Sequence, residues 1–182
     1  MDKIILFILL SIPIIIISRR ALFDFRSHGF YRFFSWEGII LLFTLNYSYW
    51  FKDPFSWQQI ASWLFLVVSA CLVITGVITL RKRGIPAGQR DDPALFQFEK
   101  TSELVTTGIF RYIRHPLYSS LLFLTWGIWL KNPILPGVFV ALASSGLLFL
   151  TAKADETECV AFFGEEYSDY MSRTKMFIPF LF

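Results

Sequence analysis

The residues best suited to chemistry fall in two clusters. The first is FRYIRHPLYSS, residues 110–120, where Arg111, Arg114 and His115 stand directly before a proline and an apolar run. Pro116 suits the first position of a helix, because its missing N–H costs nothing there. His115 then sits near the N-cap, with Leu117 and Tyr118 in the first turn. The free amides and the dipole of such a helix start attract an anion. The plainer alternative is a structural cap at His115, with Arg111 and Arg114 anchored to lipid headgroups.

The second cluster is DETECVAFFGEEYSDYM, residues 155–171. Read as one helix, it places Val160, Phe163, Tyr167 and Tyr170 within about 40° of one direction. Glu156 falls on that direction too. Asp155, Glu158, Glu165, Glu166 and Asp169 lie on the solvated side or its edge. A carboxylate inside an apolar stripe needs a partner. A salt bridge to Arg114 or Arg111 supplies one, and so does a ligand with a positive charge. An anion site and a cation site at one corner together invite a zwitterion. S-adenosylmethionine is one such molecule, and these residues alone do not single it out.

The elements that must hold these clusters are apolar. Of 182 residues, 55% are hydrophobic and only 17% are charged, a balance that points to a membrane protein rather than a soluble domain. The net charge of +3 is too small to argue for nucleic acid. Cys71 and Cys159 are far apart and form neither a CxxC nor a zinc spacing, and no metal site is expected. Five apolar segments stand out: Ile4–Ser18, Trp36–Phe51, Ile60–Leu80, Leu117–Leu130 and Ile134–Ala152. Only the third and fifth approach the ~20 residues of a full span. KNPILPG suits a tight hairpin between the last two segments.

The basic residues orient the chain. Residues 19–35 hold four, 81–115 hold seven and the tail after the fifth segment holds three. With five spans all fourteen share one side, against Lys3, Lys52 and Lys131 on the other. That asymmetry places the C-terminus and both clusters in the cytoplasm and the N-terminus opposite. The connector 81–115 is long and carries its own apolar residues, so it is expected to fold over the bundle as a cap. The expected fold is an all-α integral membrane protein of about five transmembrane helices, with a cytoplasmic cap and a C-terminal amphipathic helix. Residues 1–80 form its three N-terminal helices and 81–182 its functional core.

ELVTTGIFRYIRHPLYSS, two apolar runs joined by a short hairpin, the Asp155–Glu156 pair, FFGEEYSDY and a closing IPF occur in that order. This pattern, over roughly residues 95–182, resembles the isoprenylcysteine carboxyl methyltransferase family and the wider group of integral-membrane phospholipid methyltransferases. The resemblance implies an S-adenosylmethionine-dependent methyltransferase whose lipophilic acceptor enters from the bilayer. It implies cofactor contacts at Gln97, Ser102, Glu103, Leu104, Val105, Phe110, His115, Pro116, Leu117 and Tyr118. It maps the cofactor-contacting acid to Asp155, whereas the helical stripe selects Glu156. Both are kept, and with Arg114 they are the catalytic candidates. Prenylcysteine enzymes place an arginine four residues before the first acid to hold the substrate carboxylate. Here that position is Thr151, with Lys153 nearby, and these two are the substrate-binding candidates. The change favours an amine or another lipid headgroup as acceptor. A non-enzymatic membrane assembly or lipid-binding protein is the alternative.

Overall fold

The computed structural model describes residues 3–85 and 94–179. They form six α-helices: α1 Lys3–Ser18, α2 His28–Asn46, α3 Trp57–Arg83, α4 Pro116–Trp129, α5 Leu135–Phe163 and α6 Glu165–Arg173. Local chemistry sets their ends. The Ser27 hydroxyl caps α2 by accepting the Phe30 amide at 3.3 Å. Arg81, Lys82 and Arg83 fill the last turn of α3, where its dipole favours cations. Pro116 opens α4, as its position before the apolar run predicts. Gly164, at φ +65°, closes α5.

Two helix pairs make the bundle. α3 packs along α4, and α2 along α5; α4 touches both α5 and α2, which joins the pairs, and α1 lies against α2. The polarity of α3 is inverted relative to a soluble helix. It buries Gln59, Ser62, Ser69 and Gly76 and exposes Ile60, Leu64, Val67, Ile74 and Ile78. Ser62 and Ser69 donate across the interface to the carbonyls of Gly127 and Ser120, each at 2.7 Å. Ser35 donates to the Ser144 carbonyl at 3.2 Å, and Asn46 to that of Ile128 at 3.1 Å. Small residues and interhelical hydrogen bonds are what join helices when the surroundings are as apolar as the side chains.

α3 and α5, with 27 and 29 residues, are long and apolar enough to cross a membrane. α1, with 16 residues, and α4, with 14, are shorter. At 1.5 Å per residue they reach ~24 and ~21 Å, short of a ~30 Å hydrocarbon core. α2 begins at His28, eight residues before the expected Trp36, because the serine cap and not the start of apolarity sets its end. The expected single helix over 155–171 is divided. α5 continues through the acidic pair to Phe163, Gly164 turns the chain, and α6 is the amphipathic piece. The break resets the helical phase. Tyr167 and Tyr170 are buried as expected, but Val160 is exposed and Cys159 takes its place inside.

At the α4–α5 hairpin Lys131 is buried. Its ammonium donates to Gln59 Oε1 at 3.0 Å and lies 3.7 Å from the centre of the Trp63 ring. At the opposite end of α4 the chain's last described segment pairs with residues 112–115. An isolated parallel bridge joins Ile113 and Lys175, and the amides of Arg114 and His115 donate to the carbonyls of Lys175 and Met176 at 2.8 and 3.2 Å. Tyr170 Oη adds a 2.6 Å bond to the Phe110 carbonyl. The two sequence clusters are thereby brought face to face.

Candidate active site

Between those clusters lies a cavity of about 100 Å³. Of the expected cofactor contacts, Leu104, Val105, Phe110, His115, Pro116, Leu117, Tyr118 and Asp155 line it, as does Arg114. Gln97, Ser102 and Glu103 are exposed and lie outside the lining. Glu156, Thr151 and Lys153 do not line it either.

Asp155 and Glu156, adjacent on α5, have separate environments. Glu156 is buried and accepts from Arg114 Nε at 2.9 Å and from Lys153 Nζ at 2.9 Å, and Arg114 Nη2 lies 2.9 Å from the same Oε1. Arg114 Nη1 donates to the carbonyls of Met171, at 3.1 Å, and Thr174. The stripe-embedded acid thus has the protein partner that burial demands. Asp155 turns to the cavity, with Oδ2 3.4 Å from His115 Nδ1. His115 Nε2 lies 3.5 Å from Glu156 Oε1, an ion-pair separation without a good hydrogen bond. Burial lowers the affinity of His115 for a proton, but the carboxylates of Asp155 and Glu156 outweigh it and hold its pKa above the ordinary 6.5.

The first intrahelical bond of α4 runs from the Ser119 amide to the His115 carbonyl at 2.9 Å. The amides of Leu117 and Tyr118 precede it at the dipole's positive end, and both residues line the cavity. His115 stacks on Tyr118, with ring centres 5.4 Å apart. Tyr167, Tyr170 and Phe163 supply an aromatic wall, to which Leu80, Leu95 and Cys159 add apolar surface. Thr151 is fully buried and donates its hydroxyl to the Leu147 carbonyl of its own helix at 2.7 Å. Lys153 is half exposed and bound to Glu156.

Sequence reasoning passed over Glu99 and Thr101, which also line the cavity. Their segment has no periodicity to mark a face. It also passed over His28, whose imidazole Nδ1 bonds Glu158 and whose amide donates to Glu158 Oε1 at 2.8 Å. His28, Asp155 and Glu158 bring ligand-type atoms within 4.8 Å of one another, a spacing able to hold a cation. The His28–Glu158 bond already satisfies much of that group internally.

An all-helical apolar bundle with this cavity beneath the RHPLY helix start has a recognisable family. The model for "Phospholipid methyltransferase" matches residues 57–169, and the chain belongs to that family. It is 31% identical over 144 residues to the protein-S-isoprenylcysteine O-methyltransferase of Rattus norvegicus, covering 76% of this chain and 48% of the relative. The Tribolium castaneum protein of the same description is 32% identical over 118 residues, 63% of this chain and 41% of that one. A methanethiol S-methyltransferase of Crocosphaera subtropica is 30% identical over 78 residues, 42% of this chain and 29% of the relative. The chain spans about half the length of the rat relative, or less of the others. No solved structure matches it.

Proposed function

We propose that this chain is an S-adenosylmethionine-dependent methyltransferase of the membrane, acting on a lipophilic acceptor that enters from the bilayer. One observation carries the reading: the cavity sets the His115–Asp155 pair beside an aromatic wall and the start of α4. That donor set fits each part of the cofactor. Asp155 would hold its cationic end. The amides of Leu117 and Tyr118, with protonated His115, would hold its carboxylate. Leu104, Val105, Phe110, Tyr167 and Tyr170 would enclose its base. When bound, S-adenosylmethionine supplies a methyl group on a sulfonium, transferred as the acceptor's bond to carbon forms and the carbon–sulfur bond breaks with its electron pair staying on sulfur.

The protein's own work is alignment and exclusion of water. The Arg114–Glu156 pair and the Tyr170–Phe110 bond fix the cavity wall and hold His115 in place. They also bear on the acceptor. Among the described residues lining the cavity, Arg114 is spent on Glu156 and two carbonyls and His115 is assigned to the cofactor, so a carboxylate acceptor would find no further cation there, and Thr151 is bonded within its own helix. Glu99 suits a cation instead, so the acceptor is a lipid amine. A five-span topology, which would gather fourteen basic residues on one side, supports a cytoplasmic cavity, with residues 1–80 as membrane scaffold and 81–182 as methyltransferase core.

The test is to incubate the purified protein and methyl-labelled S-adenosylmethionine with a lipid extract. The expected product is a labelled amine lipid. A base-labile methyl ester would contradict the amine acceptor, and no labelled product would contradict the activity.

A further inference from the structure

Glu99 belongs to none of the motifs discussed above, yet it stands in the cavity wall. Its side chain is 11% exposed. Oε2 accepts the Phe96 amide at 2.8 Å and lies 3.8 Å from Arg32 Nη1. Among the described residues no group bonds its other oxygen, Oε1. A buried carboxylate with one oxygen held and one open is expensive to leave without a proton or a cationic partner.

Arg32 is itself fixed. It comes from α2, outside the family match. Its guanidinium lies 4.8 Å from the Trp36 ring and 5.1 Å from that of Phe96, and Nη2 donates to the Ala94 carbonyl. At 3.8 Å it orients Glu99 without a full hydrogen bond. The other two acids at this site have other partners: Glu156 is paired with Arg114 and Lys153, and Asp155 faces His115 and, in the proposed reading, the cofactor's cationic end.

We propose that Glu99, positioned by Arg32, is the base that takes a proton from the acceptor's ammonium group. The inference rests on the lipid-amine reading of this cavity. An ammonium nitrogen has no lone pair to offer. Glu99 Oε1 accepts its proton, the N–H electron pair stays on nitrogen, and the products are a neutral amine and a neutral carboxyl group. The nitrogen uses that pair to accept the methyl group and is cationic again, and Glu99 returns its proton to water. Burial raises the Glu99 pKa above the ordinary carboxylate value, with Arg32 opposing and the Asp155 charge adding to it, which brings the group closer to the pH at which a base works best.

The experiment uses the full chain in vesicles of phosphatidylethanolamine and phosphatidylcholine. Calorimetry in vesicles of phosphatidylcholine alone reads S-adenosylmethionine binding without turnover, and methyl transfer to phosphatidylethanolamine in the mixed vesicles is followed against pH. Glu99→Gln is expected to bind S-adenosylmethionine as the wild type does. It should lose about a hundredfold or more in rate at neutral pH, and recover as rising pH frees the amine. Arg32→Met is expected to move the acidic limb of the wild-type profile to higher pH, a change that simple loosening of the fold would not give. Weakened S-adenosylmethionine binding by Glu99→Gln would overturn the proposal and assign the residue to the donor. An unchanged rate and limb would overturn it too. A wild type that binds S-adenosylmethionine but methylates a farnesylated cysteine carboxylate and not the amine would remove its premise while leaving methyl transfer intact.

Discussion

Two neighbouring acids, one turned into the cavity and one away, give the sharpest contrast between residues. Asp155→Asn removes a charged partner for the cofactor's cationic end. The expected loss is about 1.5–3 kcal/mol of binding, roughly ten- to a hundredfold in S-adenosylmethionine affinity, with a smaller fall in melting temperature than Glu156→Gln gives. Glu156→Gln leaves Arg114 buried without its countercharge, which costs about 3–5 kcal/mol of stability. Thermal unfolding and ligand titration of both variants check this, and equal effects on both readouts would contradict it. His115 makes a pH prediction. Its folded pKa is raised above 6.5, so its contribution is fully present below about pH 6.5 and is lost as pH climbs through the folded value. Melting temperature of the wild type should fall over that rise, while that of His115→Gln should not; parallel curves would refute it.

The helices position these groups through close approaches that small residues permit. At Gly29, near the start of α2, an added Cβ would lie 2.6 Å from the β-carbons of both Ala21 and Ala94. Alanine gains about 1 kcal/mol of helix propensity there, but overpacking costs about 1–3 kcal/mol. It would also push Ala94, the carbonyl that anchors Arg32, off α2. Gly29→Ala is therefore expected to lower the melting temperature, and a rise would show that the junction yields. The parts of this architecture legible in the sequence are those with strong local chemistry. Pro116 fixed the start of α4, and the tail's acidic-aromatic pattern placed Tyr167 and Tyr170 inside. Gly164 was a legible break that a single helical wheel over 155–171 ignored, which is why Val160 was assigned to the buried stripe. The cavity-facing acid was legible from motif and not from periodicity, since the stripe marks what is buried and Glu156 is buried against Arg114. Residues 94–107 were hardest. Without a repeating face, Thr101 and Glu99 could not be told from Ser102 and Gln97, and long-range contacts such as Arg32 to Ala94 leave no local trace.

For the molecule as a whole, the inverted α3 and the two helices long enough to cross a bilayer support a lipid-embedded bundle, and the proposed five-span topology would put the site at its cytoplasmic end. Lys52 and Lys175 are both exposed and fall on opposite sides in that arrangement. With the native cysteines replaced, Lys52→Cys and Lys175→Cys should label from opposite faces of sealed vesicles, and labelling from one face would overturn the topology. The central claim is that the two sequence clusters, joined through the 112–115 and 175–176 pairing, form one S-adenosylmethionine site. Calorimetric titration of S-adenosylmethionine into the purified full chain tests it most directly. The account predicts saturable binding at one site that Asp155→Asn weakens, whereas a wild type that folds but shows no saturable binding, or binds equally well with Asp155→Asn, would contradict it.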